Sequence, residues 1–230
     1  MKGILHVSPA FFRLTIILLV LFNACSTPSP KGFAPIATTI PNLQFELRYA
    51  TANNFTGRPV RGYANIAKVL SRPALNALAA AQKDFNAMGM GLKLYDGYRP
   101  QKAVDEFLAW SKRLNDTLRK QQYYPKVPKS ELFIRGYIAP KSGHSRGSTV
   151  DVGLVYLEGP KKGEEVDMGS PWDFFGPISW ATDTTITVAQ QNNRKLLAKI
   201  LIQHGFKPYT KEWWHFTLKE EPFPETYFDF

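Results

Sequence analysis

Apolar and polar positions alternate along LQFELRYA (43–50), which predicts a half-buried strand. The period lengthens in SRPALNALAAAQKDFNAMG (71–89), where Leu75, Leu78, Ala79 and Phe85 fall on one helical face. Ser71 is placed to cap that helix, and Gly89 and Gly91 bracket its end. LKLYDGY (92–98) reads as a strand closed by Arg99-Pro100. A further helix follows from about Gln101 to Leu118, with Val104, Phe107, Leu108 and Leu114 apolar. After a polar, Tyr/Pro-rich connection, STVDVGLVYL (148–157) is a strongly β-branched strand. A helix near Thr187–Gln203 presents Leu196, Leu197, Ile200 and Leu201 and stops at Gly205; WWHFTL (213–218) is the last strand. No repeat at a solenoid period is visible, the elements do not alternate as regular βαβ units, and no glycine-rich phosphate loop follows a strand. The pattern predicts an α+β fold with helices packed on a mostly antiparallel sheet.

The amino-terminal segment has a different character. Lys2 and Arg13 precede an apolar run, Leu14–Phe22, and then Ala24 and Cys25. The run is far shorter than the ~20 apolar residues of a spanning helix, so residues 1–25 read as an export signal. Cys25, the single cysteine, rules out an intramolecular disulfide, and its position after Ala24 resembles the lipid-attachment site of bacterial lipoproteins. Phe22 and Asn23 depart from that signal's usual Leu and small residue, and a plain secretory signal or an uncleaved anchor is the alternative. Residues 26–42, opening on the Pro/Ser-rich STPSPK, are expected to tether a single domain spanning 43–230. The expectation is an exported protein on the periplasmic side, touching the membrane only through a lipid anchor.

Composition changes this little. With 230 residues, 44% hydrophobic and 21% charged, the chain suits one sizeable globular domain. Its formal charge of +10 is spread over singly placed basic residues, with no dense block or helical stripe. That argues against nucleic-acid binding and for solubility or attraction to an anionic envelope surface.

The chemistry gathers around two of the three histidines beyond the leader. His204, just before Gly205, reads as a helix-terminal residue. His144 lies in SGHSRGSTVD (142–151), where strand periodicity puts Thr149, Asp151 and Gly153 opposite the valine-rich core face, with room above Asp151. Gly143 and Gly147 make the preceding segment a turn that can fold His144 over that face. In the last strand His215 shares a face with Trp213 and Thr217, opposite Trp214, Phe216 and Leu218. Two imidazoles and a carboxylate converging on one sheet face make a zinc site with a vacant fourth position. Glu212 has the wrong parity for that face, so a bulge or turn must re-aim it. A carboxylate near the metal but not bound to it is what water activation requires. Arg99, stiffened by Pro100 at a strand end, is suited to offer planar donors to an oxyanion.

SGHSRGSTVD and EWWHF together resemble the two zinc motifs of the bacterial D-alanyl-D-alanine dipeptidases, the vancomycin-resistance type within the larger D,D-peptidase and hedgehog-like fold group. The likeness runs from about Tyr49 to Phe230 and includes YATANNFTGRPVRGY (49–63), YDGYRP (95–100), MGSPWDFF (168–175) and EPFPETYFDF (221–230). Thr149 stands where that group often has Ala, a change with no expected chemical consequence. The resemblance implies one zinc ion per chain on His144, Asp151 and His215, with Glu212 as general base and acid. It implies that Arg99 stabilises the tetrahedral transition state and that Asp173 takes the free ammonium of a small D,D-dipeptide. Tyr49, Tyr63 and Ser142 match residues lining that pocket. The alternatives are a peptidoglycan D,D- or L,D-carboxypeptidase of the same fold group and a non-catalytic zinc-stabilised binding module. The oligomeric state has no signature in the sequence.

Overall fold

The computed structural model describes residues 30–40, 42–63 and 68–230. The export signal, Cys25 and the STPS of the tether lie outside these residues. Five strands form the main sheet: β2 (Gln44–Phe45), β4 (Met90–Asp96), β5 (Thr149–Tyr156), β6 (Phe206–Tyr209) and β7 (Glu212–Leu218), in the order β2-β4-β5-β7-β6. Only β2 pairs in parallel, with β4; the other three pairings are antiparallel. A second, two-stranded sheet joins β1 (Phe33–Pro35) to β3 (Val69–Ser71). The helices are α1 (Ile36–Thr39), α2 (Arg72–Asn86), α3 (Gln101–Lys112), α4 (Lys120–Tyr123) and α5 (Val188–Gln203). The α+β reading with a mostly antiparallel sheet holds. Among the described residues no helix is long and apolar enough to cross a membrane.

The long helices follow their apolar faces. Leu75, Leu78 and Phe85 of α2 are buried, and α2 packs on β4 and α5. In α5, Leu197, Ile200 and Leu201 are buried while Leu196 is half-buried. Thr187 starts α5 with a reciprocal capping box with Gln190. Ser71 makes no cap for α2; its Oγ meets Ser148 Oγ at 2.8 Å, joining the small sheet to the start of β5. The helix expected to reach Leu118 stops at Lys112, and Leu114 is exposed. The strand expected over 43–50 shrinks to two residues, because a 3₁₀ turn at Arg48–Ala50 swings Tyr49 into the core.

Two expectations need larger revision. The tether does not run to residue 42, since β1 pairs with β3 and Phe33, Ile36 and Ile40 are buried. Pro/Ser-rich opening residues suggested a linker, but the apolar positions that follow belong to the core. Nor is the Asp151 face of β5 open along its length. Tyr95 covers Gly153, where a Cβ would sit 2.6 Å from its hydroxyl. Thr149 is not chemically silent either, since its Oγ1 meets Thr217 Oγ1 at 2.9 Å across the strands. Both faces of β5 are therefore buried.

If 33–40 is core, truncating Ile36 must cost core energy. Ile36→Ala should destabilise the chain by about 2–5 kcal/mol, the usual cost of such a cavity, in urea unfolding. A change no larger than that of an exposed-site substitution would return this segment to the tether.

Candidate active site and metal centre

The sheet register builds the site. In β5 and β7, Asp151 and His215 are direct cross-strand partners, so their side chains share a face. A register shift in β4 between Leu94 and Asp96 sets Asp96 opposite Asp151, making a row of Asp96, Asp151 and His215 across three strands. His144 arrives from a 3₁₀ turn at Gly143–Arg146, capped by Ser142 Oγ, which accepts from the His144 amide at 3.3 Å. Gly147 closes the turn at φ +78°. A side chain there would strain the backbone and drive a Cβ to within 2.2 Å of the Phe33 ring.

His144 Nε2 and His215 Nδ1 approach Asp151 Oδ1 at 3.2 and 3.1 Å. One donor atom from each of the three residues lies within 4.8 Å of the others. The His144 Nδ1–H donates to the Gly97 carbonyl at 2.8 Å, which leaves Nε2 bare and aimed at Asp151. His144 Nε2 and Asp151 Oδ1 are buried and have no hydrogen-bond partner. Orphaned atoms of this kind are costly unless a cation sits among them. Two imidazoles and one carboxylate fit a zinc-type ion. Burial raises the proton affinity of Asp151, but the two imidazoles outweigh it and hold the carboxyl far below its ordinary range. Burial opposes charge on His215, yet Asp151 raises its pKa.

Glu212 reaches the same space through the expected irregularity. The β6–β7 register slips between Pro208 and Tyr209, and Tyr209 pairs with Glu212. Glu212 Oε2 lies 3.4 Å from His215 Nδ1. Burial is the main cause that lifts its pKa to about 7, with Asp151 adding to the shift and His215 and Arg99 opposing it. A carboxylate poised near neutrality is suited to take and return a proton.

A cavity of about 300 Å³ opens on this group, and its lining includes Tyr49, Arg99, Ser142, Asp151, Asp173, Glu212, Trp214 and His215. Arg99 is fixed by Asp96, which receives Nε at 2.9 Å and Nη2 at 2.7 Å. Its Nη1 has no protein partner among the described residues. Asp173 is 6% exposed, and its Oδ2 accepts from the Tyr49 hydroxyl at 2.9 Å. Burial pushes its carboxyl well above the ordinary range, with Tyr49 only partly opposing this. Trp172 Nε1 donates to Asp151 Oδ2 at 3.3 Å, so neighbouring residues serve the metal face and the cavity. Trp214 lines the cavity, while Trp213 Nε1 donates to Ser170 Oγ at 3.0 Å.

Of the residues expected to line the pocket, Tyr63 does not. Its hydroxyl donates to Asp96 at 2.8 Å and accepts from Arg99 Nε at 3.2 Å, behind the cavity wall. His204 stays away from the site, at the end of α5, with Nε2 2.7 Å from Asp84. Sequence reasoning missed Asp96. A carboxylate inside the apolar strand LKLYDGY, three residues before Arg99, was the available signal.

The peptidase family described as Peptidase_M15, D-ala-D-ala dipeptidase, matches residues 29–230. A D-alanyl-D-alanine dipeptidase of Streptomyces coelicolor is 44% identical over 86% of this chain and 96% of its own. One from Enterococcus faecalis is 43% identical over 87% of this chain and 98% of its own. A third, from Enterococcus faecium, is 39% identical over 86% and 97% respectively.

The raised Glu212 pKa has a consequence for stability. Folding favours its protonated form, so its contribution is most favourable below the model-peptide value of 4.5 and is lost as pH rises toward about 7. Metal-free Glu212→Gln protein should therefore be more stable than metal-free wild type at pH 8, with the gain gone by pH 4. Thermal unfolding of both across that range checks it; equal stabilities at pH 8 would contradict the burial argument.

Proposed function

This chain belongs to the D-alanyl-D-alanine dipeptidase family of metallopeptidases, and on that premise we propose that it is a zinc enzyme hydrolysing free D-alanyl-D-alanine to two D-alanines. The observation that supports the dipeptide is Asp173, a buried carboxylate in the cavity wall with no cationic partner among the described residues. A substrate's free ammonium supplies that charge. An acylated amine, as in a longer peptide stem, leaves Asp173 uncompensated and is rejected.

His144 Nε2, Asp151 Oδ1 and His215 Nδ1 would hold the zinc, which when bound supplies a Lewis acid and brings the pKa of its water toward ~7. Glu212 takes the proton from the attacking water and passes it to the leaving amine as the C–N bond breaks. Arg99, braced by Asp96, offers its unpartnered nitrogen to the negative charge that develops on the carbonyl oxygen. Tyr49 orients Asp173 through its hydroxyl. Trp214 narrows the cavity, and Tyr63 acts behind Arg99. A structural metal site needs neither Glu212 nor Arg99, which is why the enzyme reading is preferred over a binding module.

Residues 1–25 support export, and a lipid on Cys25 would anchor the domain to the membrane. An enzyme outside the inner membrane does not reach a cytoplasmic wall precursor. We therefore favour scavenging or recycling of wall-derived dipeptide as its role.

One set of assays tests the activity. Wild type should cleave free D-alanyl-D-alanine far better than its N-acetylated form, and Asp173→Ala should lose most of that preference. Glu212→Gln should keep one zinc per chain while kcat falls by roughly 10²–10⁴-fold, the scale of a lost general base. Equal wild-type turnover of the free and acetylated substrates would overturn the dipeptide reading; full activity after zinc removal would overturn the metal.

Cell fractionation tests the location. Wild type should follow the membrane fraction and Cys25→Ser should not; wild type wholly soluble outside the inner membrane would make the leader a plain secretory signal.

A further inference from the structure

The segment from Asp167 to Trp180 carries both Trp172 and Asp173, yet its only regular structure is a 3₁₀ turn at Pro177–Ser179. Buried backbone carbonyls in such a segment need donors from elsewhere. Arg194 of α5 is that donor. It is 3% exposed, far from usual for an arginine. Its Nε donates to the Met168 carbonyl at 2.6 Å, Nη1 to Trp180 at 2.7 Å and Nη2 to Ile178 at 2.9 Å, with Ser170 Oγ at 3.4 Å. It forms no ion pair among the described residues. Burial lowers its pKa only to about 10, so it stays charged at neutral pH.

These bonds grip both ends of the segment. Ser170 is held further by Ser179 Oγ at 3.1 Å and by the Trp213 indole, over which the Arg194 guanidinium lies at 6.0 Å. Between the gripped ends Asp173 sits at φ +66°, the only non-glycine positive φ among the described residues. A residue in that conformation persists only where its surroundings over-determine it. The strain and the grip coincide on one segment, and that segment presents the cavity's unpaired carboxylate.

We infer that Arg194 is a positioning residue for substrate selection: its grip on Met168, Ile178 and Trp180 holds Asp173 in the conformation that faces the substrate's ammonium. The inference rests on the dipeptide reading above. It extends the specificity machinery to a helix that contributes no residue to the cavity lining. A guanidinium is suited to this task because its fixed planar fork reaches three separated carbonyls from three nitrogens, whereas an ammonium's donors all radiate from one atom. The metal ligands lie on β5, β7 and the 3₁₀ turn at Gly143–Arg146, none of which Arg194 hydrogen-bonds; it meets β7 only over the Trp213 ring.

The test compares zinc-loaded wild type, Arg194→Gln, Arg194→Lys, Asp173→Ala and the Asp173→Ala/Arg194→Lys double variant on free and N-acetylated D-alanyl-D-alanine. Arg194→Gln should raise KM for the free dipeptide by roughly ten- to a hundredfold with kcat within about threefold, the pattern of lost ground-state binding. Turnover of the acetylated substrate should hardly change, zinc should remain at one per chain, and Arg194→Lys should recover part of the loss. With Asp173 already gone, adding Arg194→Lys should not alter the substrate preference further. Amide hydrogen exchange should quicken from Met168 to Trp180 in the Arg194 variants while β4, β5 and β7 keep their protection. Should the Gln variant not fold, the Lys variant carries the same comparisons. Equal losses on both substrates with exchange quickened throughout, or unchanged kinetics and exchange, would overturn the inference. Wild type indifferent to the acetyl group would instead sink the dipeptide reading, and the exchange measurement would still decide whether Arg194 holds the segment.

Discussion

Three neighbouring strands set Asp96, Asp151 and His215 in one cross-strand row, and two of those side chains are carboxylates buried in the protein interior. Like charges directly opposite one another repel, and a low dielectric magnifies the repulsion. Arg99 and two imidazoles placed around the row make it tenable. Arg99 lies 2.7 Å from Asp96 and 3.9 Å from Asp151, and the imidazoles of His144 and His215 close on Asp151 from the other side. The remaining deficit falls on the two orphaned atoms, His144 Nε2 and Asp151 Oδ1. A divalent ion held by His144, Asp151 and His215 would answer it.

The positions of the cavity groups follow from how each is braced. Asp96 fixes Arg99 with two bonds, which leaves Nη1 free on a residue that lines the cavity. Gly97 fixes the tautomer of His144. Tyr49 orients Asp173, and Trp172 holds the second oxygen of Asp151. None of the braces needs a mobile water or a long exposed side chain, so the polar groups are preorganised before substrate arrives. The cost appears as a positive φ at Asp173 and as raised proton affinity at Glu212 and Asp173, acids that burial leaves without full compensation. Such local instability is usual where a site must receive charge rather than merely hold it.

The carboxyl-terminal residues contribute to the same preorganisation. The Phe228 amide donates to the Ser145 carbonyl, and its own carbonyl accepts from the Gln101 amide. Asp229 accepts from the Lys102 amide at 2.7 Å at the start of α3. The turn carrying His144 and the loop carrying Arg99 are thus fastened to one strand of tail. Phe33, Tyr98, Phe223, Phe228 and Phe230 pack ring against ring beside them. The aromatic ending EPFPETYFDF and Phe33, just after the Pro/Ser-rich opening, therefore belong to one cluster.

The sequence by itself determined the elements whose periodicity is strong and the chemistry whose residues lie on them. Strand parity put Asp151 opposite the valine face and His215 with it, and the β5–β7 register pairs them directly. The need for a bulge at Glu212 was legible because its parity was wrong, and the register slips there. What stayed hidden depends on contacts between distant segments. Strands of three or four residues such as β1, β3 and β6 exist only through their partners, and their sequences carry too few positions to show a period. Ser71 carries a capping residue's chemistry, yet Ser148, far along the chain, offers its hydroxyl a better partner. Asp96 went unnoticed in the sequence because its role comes from the β4 shift, which sets it between Arg99 and Asp151. Tertiary structure alone decided which acids are braced and which stand uncompensated, because burial and the placing of countercharges belong to no single stretch of chain.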